Sequence, residues 1–241
     1  MKSNFRKIIL LSGIAMLMPA MSIAQDKVEA SIGADLVSGY IWRGQDLGDV
    51  SIQPSLSVGY KGFSLGAWGS VGIESEDTKE IDLIAGYTTG GFSISVTDYW
   101  LTGGAGYFHY GARNTTHTFE AQIGYDFGPL AVNWYTNFAG TDGINKDGDR
   151  AYSSYLSVTA PFYLAGLEWT AEIGATPWGN DFYNISEDPA CNGSNGFAVC
   201  DISLEASKKI KITDSFSIPV FTKITVNPRT EGAYFVLGVG F

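Results

Sequence analysis

Acidic residues recur at alternate positions of short apolar–polar segments, and their excess over basic residues limits the chemistry they could do. This alternation places ten carboxylates and three basic side chains on one face. Because ten acids cannot all pair with three bases, we expect that face to hold water and to favour cations and neutral solutes over anions. The predicted face consists of Glu29, Asp35, Arg43, Glu74, Glu80, Asp82, Glu120, Glu168, Glu172, Asp201, Glu205, Lys209 and Lys223.

Hydrolytic chemistry requires a nucleophile beside a base, and the chain contains only two histidines, His109 and His117. His117 opens a segment on the apolar side of the alternation, and no G-x-S-x-G motif is present. A histidine among aromatic residues at a membrane interface explains this position better than catalysis. We therefore predict no catalytic residue, no cofactor and no enzyme activity.

An acidic loop, 142–149, invites comparison with calcium-binding loops. Aligning Gly148 with the glycine at the sixth position of an EF-hand loop places Gly143 at the first, where a carboxylate is needed. We therefore predict a solvated loop and no metal site.

The first residues predict export. Lys2, Arg6 and Lys7 precede an apolar stretch, 8–18, that is too short to span a bilayer. Small residues at Ser22 and Ala24 favour cleavage before position 25. The sequence thus predicts a signal peptide over 1–24 and a mature chain over 25–241. In an oxidising compartment, the two cysteines, Cys191 and Cys200, are expected to form a disulfide.

The segments that position these residues alternate with a period of two, which is typical of β-strands whose two faces meet different environments. No segment of helical period competes with them after residue 24. Strands are predicted at 28–43, 50–61, 63–74, 80–88, 92–100, 116–127, 130–139, 151–162, 167–176, 201–212, 216–227 and 232–241.

The connections between these strands alternate between long polar loops and short turns, which is the layout of an outer-membrane barrel. A soluble β-sandwich would share the alternation, but the polar face here carries mainly small polar residues, and aromatic residues flank the short turns. These aromatic residues predict a girdle at one membrane interface: Tyr60, Phe63, Tyr87, Phe92, Phe127, Phe162, Phe216 and Phe241. Trp42, Trp100, Trp134 and Phe138 are predicted to form the opposite girdle.

The predicted fold class is therefore all-β, a single antiparallel up-and-down transmembrane β-barrel of about 12 strands in the bacterial outer membrane. Twelve tilted strands give a backbone radius of roughly 12 Å, so any water path past the side chains is narrow. The whole chain has 15 Lys and Arg against 25 Asp and Glu, a net charge of −10. This charge argues against a nucleic-acid partner and leaves outer-membrane lipid as the expected surroundings.

The last strand resembles the C-terminal signal that the barrel-assembly machinery reads during insertion. Apolar residues alternate along it and end on a terminal phenylalanine: Phe235, Leu237, Val239 and Phe241. The resemblance implies that this machinery is a partner during assembly.

A second resemblance covers residues 38–70. The segment is similar to the opening of the TorF-like family of small bacterial outer-membrane proteins, with an aromatic Y-x-x-R-G strand end followed by a loop and a Gly-rich hairpin. The matching positions are Tyr40, Arg43, Gly44, Pro54, Tyr60, Gly62, Phe63, Gly66 and Trp68. The resemblance implies an outer-membrane barrel without an established activity, and it assigns no functional residue.

Several functions remain open at this stage. The acid-rich face favours a narrow channel for small neutral or cationic solutes, whereas a satisfied internal network would give a closed structural barrel. Aromatic loop residues could bind a sugar or protein partner, or could fold inward and constrict the mouth: Tyr107, Phe108, Tyr110, Trp178, Phe182 and Tyr183. A lipid hydrolase is a remote alternative.

Overall fold

The protein is described by a computed structural model that covers residues 27–74, 77, 79–112, 114–183, 196–214 and 216–241. The predicted signal peptide lies outside these residues. The described strands are β1 Glu29–Val37, β2 Tyr40–Trp42, β3 Gln45–Gly48, β4 Ser51–Tyr60, β5 Phe63–Gly72, β6 Lys79–Thr89, β7 Phe92–Leu101, β8 His117–Asp126, β9 Ala131–Gly140, β10 Ser154–Leu164, β11 Leu167–Thr176, β12 Ala198–Lys211, β13 Ser217–Asn227 and β14 Gly232–Gly240. No helix in the described part of the chain is long and apolar enough to cross a membrane.

All strands except β2 and β3 form one closed barrel, with antiparallel neighbours that follow chain order. This confirms the predicted twelve-stranded antiparallel barrel. The barrel closes where β1 meets β14.

The barrel is polar inside and apolar outside, the reverse of a water-soluble protein. On β4, Leu56 is 51% exposed while its neighbour Ser57 is 3% exposed. Ile52 and Val58 share the outward face with Leu56, and Ser51 shares the buried face with Ser57. A soluble sandwich would bury the apolar face between its sheets, whereas a membrane barrel turns that face toward lipid.

Tight turns join strands at one end of the barrel. Lys61 and Gly62 both adopt positive φ angles between the paired residues Tyr60 and Phe63. Two successive positive φ angles define the two-residue turn that matches the twist of a hairpin. Ala165 and Gly166 repeat this geometry between β10 and β11.

The prediction of a first strand over 28–43 is wrong after residue 37. β1 ends at Val37, and the chain then forms a separate two-stranded sheet from β2 and β3. Arg43 and Gly44 turn this sheet, with φ angles of 49° and 77°. We call Tyr40–Gly48 the inner hairpin.

This departure leaves a short seam in the barrel. β1 pairs with β4 over nine residues but with β14 over only three, Asp35–Val37. Below them, Ala34 and Phe241 exchange two backbone hydrogen bonds of 3.4 and 2.9 Å. Above them, Ser38 contacts Leu237 through its amide and its hydroxyl.

Candidate functional site

The inner hairpin crosses the barrel interior and contacts strands on several sides. The Trp42 ring packs 5.8 Å from the ring of Tyr99 on β7. The Gly44 carbonyl accepts a 2.9 Å hydrogen bond from Asn227 at the end of β13. A side chain at Gly44 would come within 1.8 Å of the Cys200 carbonyl on β12, so the tip requires glycine both for its φ angle and for this approach.

Arg43 fixes the hairpin tip to the barrel wall through a two-pronged ion pair. Its Nη1 and Nη2 donate to the two carboxylate oxygens of Glu120 on β8, at 2.5 and 2.9 Å. Glu120 also accepts a 2.9 Å hydrogen bond from the Tyr99 hydroxyl. The parallel geometry of a guanidinium and a carboxylate makes this a strong, directional contact.

Aromatic rings surround the Arg43 guanidinium. Its central carbon lies 4.4 Å from the ring centroid of Trp42, 4.1 Å from that of Tyr135 and 4.8 Å from that of Tyr155. Rings at these distances stabilise a cation through their negative faces. The guanidinium is therefore held by opposite charge and by π-faces at the same time.

The connection after β11 supplies the last wall of this cage. The Tyr183 hydroxyl accepts a 2.5 Å hydrogen bond from Arg43 Nη1. Burial raises the pKa of Tyr183 well above its usual range, so the hydroxyl stays neutral. The Asn180 side chain holds the Tyr183 amide at 2.9 Å and donates to Thr176 at 2.7 Å. This segment folds into the barrel rather than away from it.

The structure distributes the thirteen predicted interior residues over three environments. The buried ones are Arg43, Glu80, Asp82, Glu120, Asp201, Glu205 and Lys223. The half-buried ones are Glu29, Asp35, Glu168 and Glu172. The remaining two, Glu74 and Lys209, are exposed.

Three of these placements differ from the sequence prediction. β5 ends at Gly72, so Glu74 lies in the exposed turn after it, where its amide contacts Asp77. Lys209 lies on β12 near the short turn before β13, where the barrel opens to solvent. Arg43 is inside the barrel, but on the inner hairpin rather than on a wall strand.

The buried carboxylates form two groups on opposite sides of the Arg43–Glu120 pair. The first group, Glu80 and Asp82 on β6, faces the hydroxyl of Tyr40 at the base of the inner hairpin. Burial and these two carboxylates raise the pKa of Tyr40 well above its usual range. The second group lies on β11 and β12 and contains buried Asp201 and Glu205 with half-buried Glu172, and Lys223 of β13 lies directly opposite Glu205.

Trp42 does not belong to the predicted second girdle, because it lies inside the barrel. It is buried at 8% exposure in the inner hairpin because the chain turns inward after Val37.

Most members of the first predicted girdle are exposed on the outside: Tyr60, Phe63, Phe127, Phe162, Phe216 and Phe241. Tyr87 and Phe92 are half-buried. Of the closing strand, Phe235, Leu237 and Phe241 are exposed, and Val239 is half-buried.

The cysteine pair cannot be compared directly with its prediction. Cys191 lies outside the described residues, so the disulfide stays a prediction. Cys200, predicted to lie in a loop, is buried in β12 at an irregularity of its pairing with β11. Because the register shifts between Gly174 and Ala175, Cys200 joins the interior aromatic cluster next to Asp201.

His117 has a partner that the sequence did not reveal. Its Nδ1 lies 2.7 Å from Asp98 Oδ1 on the neighbouring strand, and its Nε2 lies 2.6 Å from the Tyr107 carbonyl. The ring of Tyr110 stacks on the imidazole at 4.0 Å. Both nitrogens are engaged and neither contacts a hydroxyl nucleophile, so this geometry does not offer a base for acyl transfer.

The two aromatic loops lie in different places, and the expectation that they bind a sugar or a protein partner stays a prediction. Tyr107 and Tyr110 cover His117 on the outer surface, and Phe108 is 89% exposed beside them. Phe182 and Tyr183 instead pack against Trp42 inside the barrel. The second loop therefore contributes to the constriction of the interior.

The acidic loop is organised by side chain–backbone hydrogen bonds. The Asn145 side chain accepts from the amides of Asp147 and Asp149, and buried Asp142 accepts from the amide of Gly143. Among the residues that the structure describes, no three His, Cys, Asp or Glu side chains form a group that could hold a metal ion.

Comparison with solved structures finds a porin and an outer membrane channel at low sequence identity. Similar solved structures include the KdgM porin (10% identity, 89% of this chain and 98% of that chain covered, TM-score 0.44). Another is the COG4313 outer membrane channel from Pseudomonas putida F1 (14% identity, 92% of this chain and 97% of that chain covered, TM-score 0.40). At these scores the barrel assignment depends on the chain's own strand pairing.

Sequence comparison finds no match among curated proteins. The TorF-like name does not occur in these comparisons, so that resemblance stays a prediction. The profile of a bacterial family of unknown function, Gcw_chp, matches residues 22–207, which is more than half of the chain. The protein therefore belongs to this family.

Proposed function

We propose that this protein is an outer-membrane barrel that passes small neutral or cationic solutes along a narrow interior path. The observation that carries the proposal is a polar interior in which buried carboxylates outnumber buried cations. Five carboxylates are buried there, Glu80, Asp82, Glu120, Asp201 and Glu205, against Arg43 and Lys223. An interior with this charge attracts cations and repels anions.

A buried carboxylate oxygen without a protein partner supports a hydrated interior. The Oδ1 atom of Asp201 has no hydrogen-bond partner among the described residues. A dry carboxylate without a partner costs several kcal/mol, on the order of the desolvation penalty of an ion. Water inside the barrel removes this cost and provides the medium through which a small solute moves.

The inner hairpin makes the interior path narrow. Its tip contacts β8, β12 and β13, and its rings contact β7 and the connection after β11. This arrangement also favours the second candidate function, a barrel that is closed at rest. The two candidates differ in whether the wild-type protein carries any current.

Ion selectivity tests the acidic interior. In planar bilayers with a KCl gradient, we expect the reversal potential to show cation selectivity because acidic side chains outnumber basic ones in the interior. Replacing Asp201 with Asn together with Glu172 with Gln should reduce this selectivity. The matched control is Glu74→Gln, which removes an exposed charge outside the strands. Anion selectivity of the wild-type protein would contradict the proposal.

Membrane insertion is tested by placing charge on either face of β4. Leu56→Arg puts a cation on the lipid side and should lower the free energy of unfolding in vesicles by about 2–4 kcal/mol if it lies near the bilayer centre. Gln53→Arg, three residues earlier on the interior side, should change it much less. Equal destabilisation by the two substitutions would show that the outer face does not contact lipid.

The proposal implies two partners, outer-membrane lipid and the barrel-assembly machinery. Lipid surrounds the exposed apolar face, and the barrel-assembly machinery inserts the exported chain after removal of residues 1–24. The outward loop with Phe108, whose ring packs 5.2 Å from that of Tyr107, supplies a surface for a sugar or protein partner.

A further inference from the structure

We propose that residues 103–112, which we call the flap, lie against the outer wall of the barrel and insert the ring of Phe108 among the acyl chains of the outer leaflet. The inference rests on the proposed insertion of the barrel in a membrane, and it adds a lipid-binding surface outside the strands.

The flap covers a polar pair on the outward side of the wall. Along β7, Tyr99 is buried and Val96 is 42% exposed, so the alternation turns Asp98 outward. His117 of β8 lies opposite Trp100, on the same outward side. His117 is nevertheless 0% exposed, because flap residues pack over it. Uncovered polar side chains are costly against hydrocarbon, so the flap makes this part of the wall compatible with lipid.

Hydrogen bonds attach the flap to the wall. His117 Nε2 donates to the Tyr107 carbonyl at 2.6 Å, because a carbonyl oxygen can only accept. The His117 Nδ1 lies 2.7 Å from Asp98 Oδ1, and this contact orients the imidazole. The Trp100 indole donates to the Ala105 carbonyl at 3.4 Å. Two backbone carbonyls of the flap therefore each receive a donor from an outward side chain of the wall.

Aromatic rings complete the attachment and leave one ring uncovered. The Tyr110 ring stacks on the His117 imidazole at 4.0 Å, and the Tyr107 ring packs 5.5 Å from the ring of Trp100. Phe108 packs 5.2 Å from the Tyr107 ring, yet it is 89% exposed. Since burial of an apolar ring is favourable, an attached flap that presents this ring outward offers it to an apolar partner.

The composition of the flap favours lipid over a sugar or a protein. Residues 103–112 contain no Asp, Glu, Lys or Arg, whereas residues 141–150, in the next long loop, contain five. Uncharged aromatic segments are typical of a membrane interface. A site for a polar ligand instead places a few charged, amide or hydroxyl groups so that they fix its orientation.

The flap also continues the girdle predicted at the long-loop end of the barrel. The Tyr110 ring lies 6.3 Å from that of Phe119, which lies 6.2 Å from that of Phe138 on β9. Phe138 is 45% exposed and, like Trp100, belongs to that predicted girdle. Irregular backbone does not occur against hydrocarbon, so the flap backbone lies among headgroups while Phe108 reaches the acyl chains. Long loops of such barrels lie outside the cell, which selects the outer leaflet.

Photocrosslinking in cells tests this contact. Replacing Phe108 with p-benzoylphenylalanine keeps an aromatic side chain that forms adducts with nearby C–H bonds under ultraviolet light. We expect mass spectrometry of the purified barrel to find adducts with lipid acyl chains. The matched control places the same residue at Ile144, which is 49% exposed in the charged loop and should give no acyl adduct. Adducts of position 108 with a protein, with a second copy of this chain or with saccharide alone would overturn the proposal.

Position 56 separates the flap from insertion of the barrel. Leu56 is 51% exposed on the outward face of β4, and p-benzoylphenylalanine placed there should form acyl adducts in an inserted barrel. Acyl adducts at position 56 without any at position 108 would overturn the flap assignment alone. Absence of acyl adducts at both positions would overturn the insertion as well.

Apolar replacement of the polar pair tests the attachment. The Asp98→Leu, His117→Leu double variant loses the hydrogen bond to the Tyr107 carbonyl but leaves no polar side chain of the pair facing lipid. We expect acyl adducts from position 108 to fall severalfold, whereas those from position 56 stay unchanged. Heat-dependent gel mobility establishes that the variant is folded. Unchanged adducts from position 108 would overturn the role of Asp98 and His117 in holding the flap.

Discussion

The Arg43→Ala variant should conduct several-fold more current per channel than the wild type in planar bilayers. Arg43 makes the only described ion pair between the inner hairpin and the wall, with both nitrogens on Glu120. Removing one member of a buried ion pair typically costs about 3–5 kcal/mol. A nine-residue hairpin without this anchor is expected to leave the centre of the barrel and widen the path.

The cage around the guanidinium makes this effect larger than the loss of one ion pair. Alanine also removes the contacts to the rings of Trp42, Tyr135 and Tyr155 and the hydrogen bond to Tyr183. These groups belong to the hairpin, to two wall strands and to the connection after β11. One substitution therefore separates elements that Arg43 now holds together.

Two control variants separate the anchor from general loss of charge. Arg43→Lys keeps the charge but cannot make the parallel pair, so its conductance should lie between those of wild type and Arg43→Ala. Arg150→Ala removes an arginine that donates to the carbonyls of Gly140, at the end of β9, and Ala112 in the loop after β7, and its conductance should match the wild type. If Arg43→Ala conducts like the wild type, the hairpin does not constrict the path. If neither the wild type nor Arg43→Ala carries current, the closed structural barrel is the better description.

The number of strands, and the side of the barrel wall on which each side chain lies, were predictable from the sequence because both depend on local alternation. The segment around Leu56 and Ser57 shows this, since each residue's environment follows from its position in a two-residue period. Turns such as Lys61–Gly62 were also predictable, because short loops with glycine connect hairpins. The buried carboxylates on β6 and β12 lie where this alternation places them.

The inner hairpin was not predictable in the same way. Tyr40, Ile41 and Trp42 are residue types that favour strands, so the local sequence does not show that the chain turns inward after Val37. The direction is decided by residues far away in sequence, Glu120 and Tyr183 for Arg43 and Asn227 for Gly44. Ser38–Gly39 and Arg43–Gly44 were the available signals, as each pair can interrupt or reverse a strand.

The Asp98–His117 contact escaped the sequence for a related reason. In the sequence, each of these residues is a single polar side chain on the otherwise apolar face of its strand. Their contact becomes visible only once the register of β7 and β8 places Trp100 opposite His117 and brings Asp98 beside it. Cross-strand pairs of this kind need the register, which a single sequence does not define over a fifteen-residue connection.

The short seam between β1 and β14 makes the last residue decisive for barrel closure. Only three residue pairs join these strands, and Phe241 adds two backbone hydrogen bonds to Ala34. Deleting Phe241 removes a large share of the hydrogen bonds that close the barrel. We therefore expect the deletion variant to lose the heat-modifiable folded form when it is refolded in detergent, where no assembly machinery is present.

Replacing the side chain alone separates closure from recognition. Phe241→Ala keeps the backbone groups that bond to Ala34 but removes a ring that is 69% exposed. Because closure uses only those backbone groups, this variant should refold in detergent nearly as well as the wild type. In cells, we expect it to reach the outer membrane poorly, because the ring is the part that the assembly machinery can read. Normal insertion of Phe241→Ala would assign the last residue a structural role alone, whereas failure of this variant in detergent would mean that the ring itself stabilises the seam.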